Sequence, residues 1–231
     1  MRKRTARLLI LTALAAAVLV RVPLAAPAAA ERFLDTAPEA YDGVRLTIFY
    51  PSAGSIRALA NLFQKGLLDP AGVTVVGVYY EKEATDYAAA ARYAADGGLS
   101  WMKFHAVSAP IGPDDLYKKN GCTPDYEAIV KKTDGAIFFG GPDIPPAVYG
   151  KKTSLLSEIE DPYRHYFELS AVFHFIGGPQ GDSRKPLLEA RLKFPILGIC
   201  LGFQTLNVGA GGTMVQDIWD EVYGEGAVED I

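Results

Sequence analysis

Histidine, cysteine and long apolar runs are all scarce in this sequence, and each scarcity narrows the classes of protein it can encode. The chain has 3 histidines and 2 cysteines among 231 residues. No group of His, Cys, Asp and Glu has the spacing of metal ligands, so the sequence predicts no metal site and no cofactor. After residue 30 no apolar run is long enough to cross a bilayer, so we expect no membrane segment in the mature chain.

Basic side chains are also few once the N-terminal segment is set aside. Residues 31–231 carry 18 Lys and Arg against 27 Asp and Glu, a net charge of −9. An acidic chain without basic clusters binds nucleic acids and anionic membranes poorly. The sequence therefore predicts no nucleic-acid partner, and it does not indicate an oligomeric state.

The first thirty residues have the features of a cleaved secretory signal. Arg2, Lys3 and Arg4 open a basic region, residues 8–20 are apolar, and residues 28–30 are three alanines that suit a signal peptidase. The alternative, a membrane anchor, needs a longer apolar run than Arg21 permits. We therefore predict a signal peptide at 1–30, export to the periplasm or the medium, and a polar, aperiodic leader at 31–43 that lies on the surface.

The rest of the chain alternates between apolar strands and helical patterns. Five runs have the composition of buried strands: Val44–Tyr50, Val73–Tyr80, Trp101–Ala109, Gly135–Gly141 and Phe194–Cys200. Nearly continuous apolar strands separated by helices indicate a parallel sheet that is covered on both faces. Residues 44–231 are therefore predicted to form one doubly wound, flavodoxin-like α/β domain.

A cysteine stands between two glycines where the last strand gives way to a helix. In the run GICLG, residues 198–202, the glycines fit a tight turn that lifts the side chain of Cys200 above the sheet edge. In such a turn the following amide can stabilise an oxyanion, and the helix N-terminus favours a thiolate. Five residues alone leave two alternatives open, a nucleophile or an inert cysteine buried in a βα turn.

Three longer segments resemble a known family. They are PILGICLGFQTLNVGAGGTMVQDI at 195–218, DGAIFFGGPDIPPAVYG at 134–150 and DPYRHYFELS at 161–170. In this order they resemble class I glutamine amidotransferase-like hydrolases, most closely the γ-glutamyl-γ-aminobutyrate hydrolase or γ-glutamyl peptidase type. Residues 44–132 support only the α/β architecture.

The resemblance implies a role for several residues. Cys200 would be the thiolate that attacks a γ-glutamyl amide to give an acyl-enzyme, and the amides of Gly141 and Leu201 would bind the oxyanion. Gln204, one helical turn after Cys200, would bind the glutamyl group or else face solvent. Arg164 and Glu168 are four residues apart and are interpreted as an ordinary helix ion pair.

The family also completes its site with a His and a Glu from a downstream H-x-E motif, which this chain lacks. None of the 31 residues after Cys200 is a histidine, and His105, His165 and His174 all precede it. The chain therefore looks C-terminally short, with an incomplete sheet. His165, at the start of a helix and in place of the Asp that the family often has there, is the upstream histidine best placed to substitute, although a structural role is favoured for all three.

Three hypotheses follow for the function. The first is an exported cysteine hydrolase of γ-glutamyl amides that is weak or inactive as this chain, because general acid-base help is worth roughly 10²- to 10⁴-fold in rate. The second is a non-catalytic module that binds a small amino-acid-like ligand or a partner chain. The third treats Cys122 and Cys200 as a structural disulfide, which requires their Cα atoms to lie within about 7 Å.

Overall fold

The computed structural model describes residues 31–225 and residue 227, so the predicted signal peptide at 1–30 lies outside the described residues. Within these residues five strands form one sheet: β1 Val44–Phe49, β2 Val73–Tyr80, β3 Met102–Val107, β4 Gly135–Phe138 and β5 Ile196–Gly198. Their order is β3-β2-β1-β4-β5, and every neighbouring pair is parallel. The predicted parallel α/β fold is confirmed.

The part of the chain that the structure describes has six α-helices around the sheet: α1 Phe33–Thr36, α2 Ala53–Gln64, α3 Tyr87–Asp96, α4 Thr123–Lys132, α5 Pro162–Ile176 and α6 Leu201–Gly209. Helix α5 starts because the Asp161 side chain accepts a hydrogen bond from the Tyr163 amide and Pro162 occupies the first position, where no amide donor is needed. No helix in the described part of the chain has the length and apolar character needed to cross a membrane.

The core has two layers because adjacent residues of β1 point to opposite faces of the sheet. Phe49 packs with α4 and α5 on one face of the sheet. Its ring also stacks on the ring of Phe138 in β4, at a centroid distance of 4.3 Å. Ile48 packs on the other face with Ile56 of α2 and Ala90 of α3. Burying each of these large side chains contributes about 1.5–3 kcal/mol, so both helix layers are held to the sheet mainly by apolar contacts.

The two edges of the sheet differ. At β3 the segment that follows residue 30 covers the edge, since the Ala106 amide donates a 2.9 Å hydrogen bond to the Glu31 carbonyl and Leu34 is fully buried. The predicted surface leader at 31–43 is therefore partly wrong, because α1 packs into the core. At β5 the side chains are open, with Leu197 53% exposed and Ile199 42% exposed.

Candidate active site

Cys200 stands at the corner between β5 and α6. Strand β5 ends at Gly198, helix α6 begins at Leu201, and Cys200 is its N-cap. The prediction that Leu201 opens a helix is confirmed. The prediction that Cys200 ends a buried strand is wrong on both counts, because the strand ends at Gly198 and because its central residue, Leu197, is exposed.

The backbone of Cys200 is strained in the manner of a nucleophile held on a turn. Its φ is 55° and its ψ is −116°. Among the described residues only Cys200 and Tyr50 combine a positive φ with a side chain. Such a conformation costs about 1–3 kcal/mol and persists where the surrounding structure enforces it, which is typical of functional sites.

The two glycines flanking Cys200 are required by close packing. A Cβ at Gly198 would lie 2.6 Å from the Phe203 nitrogen, and a Cβ at Gly202 would collide with the carbonyl oxygen of Phe138. Any side chain at either position would push the strand and the helix apart. The G-x-C-x-G pattern therefore reflects the space available at the turn.

The glycine turn after β4 lies directly beside the cysteine. A Cβ at Gly140 would be 3.2 Å from the Cys200 Cβ and 3.7 Å from its Sγ. The Ile199 amide donates to the Phe138 carbonyl at 2.9 Å, which fixes the ends of the two strands side by side. In the described part of the chain the amides of Gly140, Gly141 and Leu201 donate no hydrogen bond, so they are available to an oxyanion. The oxyanion roles of Gly141 and Leu201 stay predictions.

Arg164 and Glu168 form the predicted helix ion pair, and the pair is buried. Their side chains are 4% and 1% exposed, and Arg164 Nε donates to Glu168 Oε1 at 2.8 Å. The remaining guanidinium nitrogens donate to the Phe139 carbonyl at 2.8 Å and the Gly140 carbonyl at 3.1 Å. The ion pair therefore links α5 to the glycine turn beside Cys200.

A second buried carboxyl group lies behind this ion pair. Glu83 accepts a hydrogen bond from the Tyr80 amide at 2.9 Å and contacts the Tyr87 hydroxyl. Burial raises the pKa of Glu83 to about 8, against the opposing effect of the two hydrogen bonds. Glu83 is therefore mainly protonated at neutral pH.

Comparison with known proteins connects this geometry to a family. Residues 118–229, which include the glycine turn, Arg164 and Cys200, match the sequence model of the family Peptidase C26. Over 96 residues the chain is 39% identical to a Lactococcus lactis subsp. cremoris protein named "putative glutamine amidotransferase-like protein". These matches support a class I glutamine amidotransferase-like family for residues 118–229.

The matches cover only part of each relative. The Lactococcus alignment covers 42% of this chain and 44% of the relative. A Mycobacterium tuberculosis protein named "putative glutamine amidotransferase" is 28% identical over 113 residues, which is 48% of this chain and 28% of the relative. The chain therefore spans less than half the length of these curated relatives.

Two of the three histidines are hydrogen-bonded to groups other than the Cys200 thiol. His105 Nδ1 accepts from the Leu34 amide at 3.2 Å, and its Nε2 lies 3.0 Å from Asp125. His174 Nε2 lies 2.8 Å from the Thr123 hydroxyl, and burial lowers the pKa of His174 to about 4. No hydrogen bond within the described residues joins a histidine to Cys200.

His165, the histidine that the sequence placed nearest the active edge, is a poor base. It is 1% exposed, and its Nδ1 has no hydrogen-bond partner among the described residues. Burial, together with the charge of Arg164, lowers the pKa of His165 to about 3. An imidazole that remains neutral in this way accepts a proton weakly, so the structural role favoured for His165 fits its surroundings.

Two further sequence predictions concern Gln204 and metal binding. Gln204 is half-buried one turn after Cys200, and its proposed contact with substrate stays a prediction. Asp35, His105 and Asp125 do come together with ligand atoms within 4.8 Å, although they are far apart in sequence. The Arg32 guanidinium donates to both carboxylates, at 2.7 Å and 2.8 Å, so a protein cation already offsets part of their charge.

Proposed function

We propose that this chain supplies the nucleophile site of a cysteine hydrolase that cleaves γ-glutamyl amide bonds. The observation that carries the proposal is the exposed, strained Cys200 beside three amides that have no partner within the described residues. The family match and the names of the relatives support a hydrolase or amidotransferase-like activity. The γ-glutamyl substrate rests on the resemblance of the motifs.

The reaction follows from the positions of these groups. The Cys200 thiolate attacks the γ-carbonyl carbon, a C–S bond forms, and the carbonyl oxygen becomes an oxyanion held by the amides of Leu201 and Gly141. The C–N bond then breaks, the amine leaves with a proton, and water hydrolyses the thioester to release glutamate. The described residues offer no histidine hydrogen-bonded to the thiol to move these protons.

For this reason we expect the 231-residue chain to turn over γ-glutamyl amides very slowly. The test measures p-nitroaniline release from γ-glutamyl-p-nitroanilide by the wild type, Cys200→Ala and His165→Ala. Turnover near background is expected for all three. Robust turnover that Cys200→Ala abolishes would show that another group acts as the base, and loss in both variants would identify His165.

The second candidate is a binding module, which the burial of all three histidines favours. Acylation of Cys200 separates a nucleophile from such a module. The thiophenyl ester of the glutamate γ-carboxyl group has a leaving thiolate that needs no proton. We expect it to acylate Cys200 faster than the β-thiophenyl ester of aspartate, with Cys200→Ala giving the background. A γ-glutamyl compound that binds without acylating Cys200 would support the module instead.

The predicted export remains part of the proposal. A cleaved signal would leave Glu31 as the first residue, and the backbone of Glu31 is already hydrogen-bonded to β3. N-terminal sequencing of the protein recovered from a periplasmic fraction is expected to start at Glu31. Recovery only in the cytoplasm with residues 1–30 intact would contradict export.

A further inference from the structure

The Arg164 guanidinium joins helix α5 to the turn that follows strand β4. It donates to two consecutive carbonyls, those of Phe139 and Gly140. It also occupies the volume where a side chain of residue 141 would lie, because a Cβ at Gly141 would collide with the Arg164 Nη1 atom. The glycine at 141 is thus explained by the arginine packed against it.

Two carbonyls that point toward one guanidinium fix the direction of two amides. In a trans peptide the N–H of a residue points opposite to the carbonyl of the residue before it. Turning the Phe139 and Gly140 carbonyls toward Arg164 therefore turns the Gly140 and Gly141 amides away from it. Consecutive amides on one side of a turn form an anion-binding concavity, and Gly140 is the residue packed against Cys200.

The arginine is itself held on three sides. Glu168 binds Nε at 2.8 Å, and both partners are buried. The Tyr50 ring stacks on the guanidinium, with the carbon Cζ 3.6 Å from the ring centroid. Tyr50 has a φ of 60°, so among the described residues it shares with Cys200 a strained backbone at a residue that carries a side chain.

We infer that Arg164 is a positioning residue for the oxyanion site, and that Glu168 and Tyr50 hold it in place. The inference rests on the proposed function, since it assigns a role in stabilising the acyl-transfer intermediate. Arg164 does not touch the substrate in this account. It orients the amides of residues 140 and 141, and its removal leaves the Cys200 thiol in place.

Two electrophiles distinguish this role from a general effect on the thiol. Iodoacetamide alkylates a thiolate by displacement at carbon and forms no oxyanion, whereas p-nitrophenyl acetate acylates it through a tetrahedral oxyanion. The variants are Arg164→Lys and the double variant Arg164→Met/Glu168→Gln, which leaves no buried charge unpaired. We expect acylation of Cys200 to fall roughly 10- to 100-fold in the double variant, with a smaller loss for Arg164→Lys, while alkylation changes less than about twofold.

The matched control is Arg45→Met. Arg45 is also buried, lies 3.7 Å from the centroid of the Tyr41 ring and donates to the Pro38 and Lys132 carbonyls, but it stands at the opposite end of β1. Circular dichroism checks that each variant folds. We expect Arg45→Met to leave the ratio of acylation to alkylation unchanged.

The outcomes separate this inference from the proposed function. Equal loss of both reactions, no loss of acylation, or the same loss in Arg45→Met would overturn the role of Arg164. A wild type that is alkylated but never acylated by p-nitrophenyl acetate has no working oxyanion site, which also overturns it. Acylation by the acetate but not by the γ-glutamyl thiophenyl ester would refute only the proposed substrate.

Discussion

The two cysteines of this chain occupy similar places in the secondary structure and very different environments. Cys122 is the N-cap of α4, and Cys200 is the N-cap of α6. Cys122 is fully buried, has an ordinary φ of −83° and donates to the Ala109 carbonyl at 3.5 Å. Cys200 is exposed, has a positive φ and packs against a glycine turn.

The comparison shows that a helix N-terminus alone does not make a cysteine reactive. Burial raises the pKa of Cys122 to about 12, with a further contribution from the nearby charge of Asp125. Cys200 is exposed and lies beside Gly140, whose amide has no partner among the described residues. Both thiols are free, so the disulfide considered from the sequence does not form in this structure.

The largest expected difference between the two cysteines is in their rates of alkylation. In the native protein at pH 7.5 we expect iodoacetamide to modify Cys200 at least about 10³-fold faster than Cys122, because the buried thiol is both inaccessible and protonated. Peptide mapping by mass spectrometry measures the two rates. In denaturant the rates are expected to converge, and unequal rates there would show that the difference is not due to folding.

A methyl group at residue 202 should disrupt the turn that holds Cys200. Gly202→Ala would place its Cβ against the Phe138 carbonyl, so we expect the free energy of unfolding to fall by about 2–3 kcal/mol. Gly54→Ala in α2 is the control, since its Cβ would meet only the Ser52 Oγ at 3.6 Å. Urea unfolding of both variants checks this, and equal stabilities would contradict the close packing.

Substitutions at the two cysteines are expected to change stability in opposite directions. Cys122→Ser puts a more polar group into the core and should lower the free energy of unfolding by about 1–2 kcal/mol. Cys200→Gly relieves the positive φ and should raise it by about 1 kcal/mol. Urea denaturation of each variant measures the change. A stabilising Cys122→Ser would contradict the apolar surroundings of that thiol. A destabilising Cys200→Gly would contradict the backbone strain at Cys200.

The smallest expected effect concerns the carboxyl group behind the Cys200 site. Folding raises the pKa of Glu83 from 4.5 to about 8, so its contribution to stability is present at low pH and is lost as the pH rises through 8. His165 and His174 have lowered pKa values, so their contributions are constant above about 6.5. We therefore expect stability to decrease by about 1 kcal/mol between pH 6.5 and 8.

Glu83→Gln tests the source of that pH dependence. The variant should flatten the stability profile between pH 6.5 and 8, because the amide does not titrate. Glu81→Gln, at an exposed position two residues earlier, should leave the profile as in the wild type. An unchanged slope in Glu83→Gln would assign the pH dependence to another group.

Much of this architecture could be predicted from the sequence, because its signals are local. Continuous apolar runs indicate buried parallel strands, and the glycines around Cys200 indicate a tight turn. The end of β5 was predicted two residues too late, because Ile199 and Cys200 form the turn that precedes the helix. Strand order and exposure of the β5 edge depend on contacts between distant segments, which no local pattern specifies.

The role of Arg164 was missed for the same reason. A spacing of four residues fully accounts for an Arg–Glu pair on a helix, so nothing local points to the Phe139 and Gly140 carbonyls. The buried position of α1 was also missed, because a four-residue helix shows no periodicity and Leu34 is its one fully buried residue. In each case the decisive contact joins residues that are far apart in sequence.

The most direct test of the central claim asks which residue the acyl group reaches. The native protein is treated with the γ-thiophenyl ester of glutamate, then with iodoacetamide, and its peptides are mapped by mass spectrometry. The account predicts a glutamyl thioester on Cys200, loss of carbamidomethylation there, and an unmodified Cys122. A glutamyl group found on Cys122 or on lysines alone, with Cys200 still fully open to iodoacetamide, would contradict it.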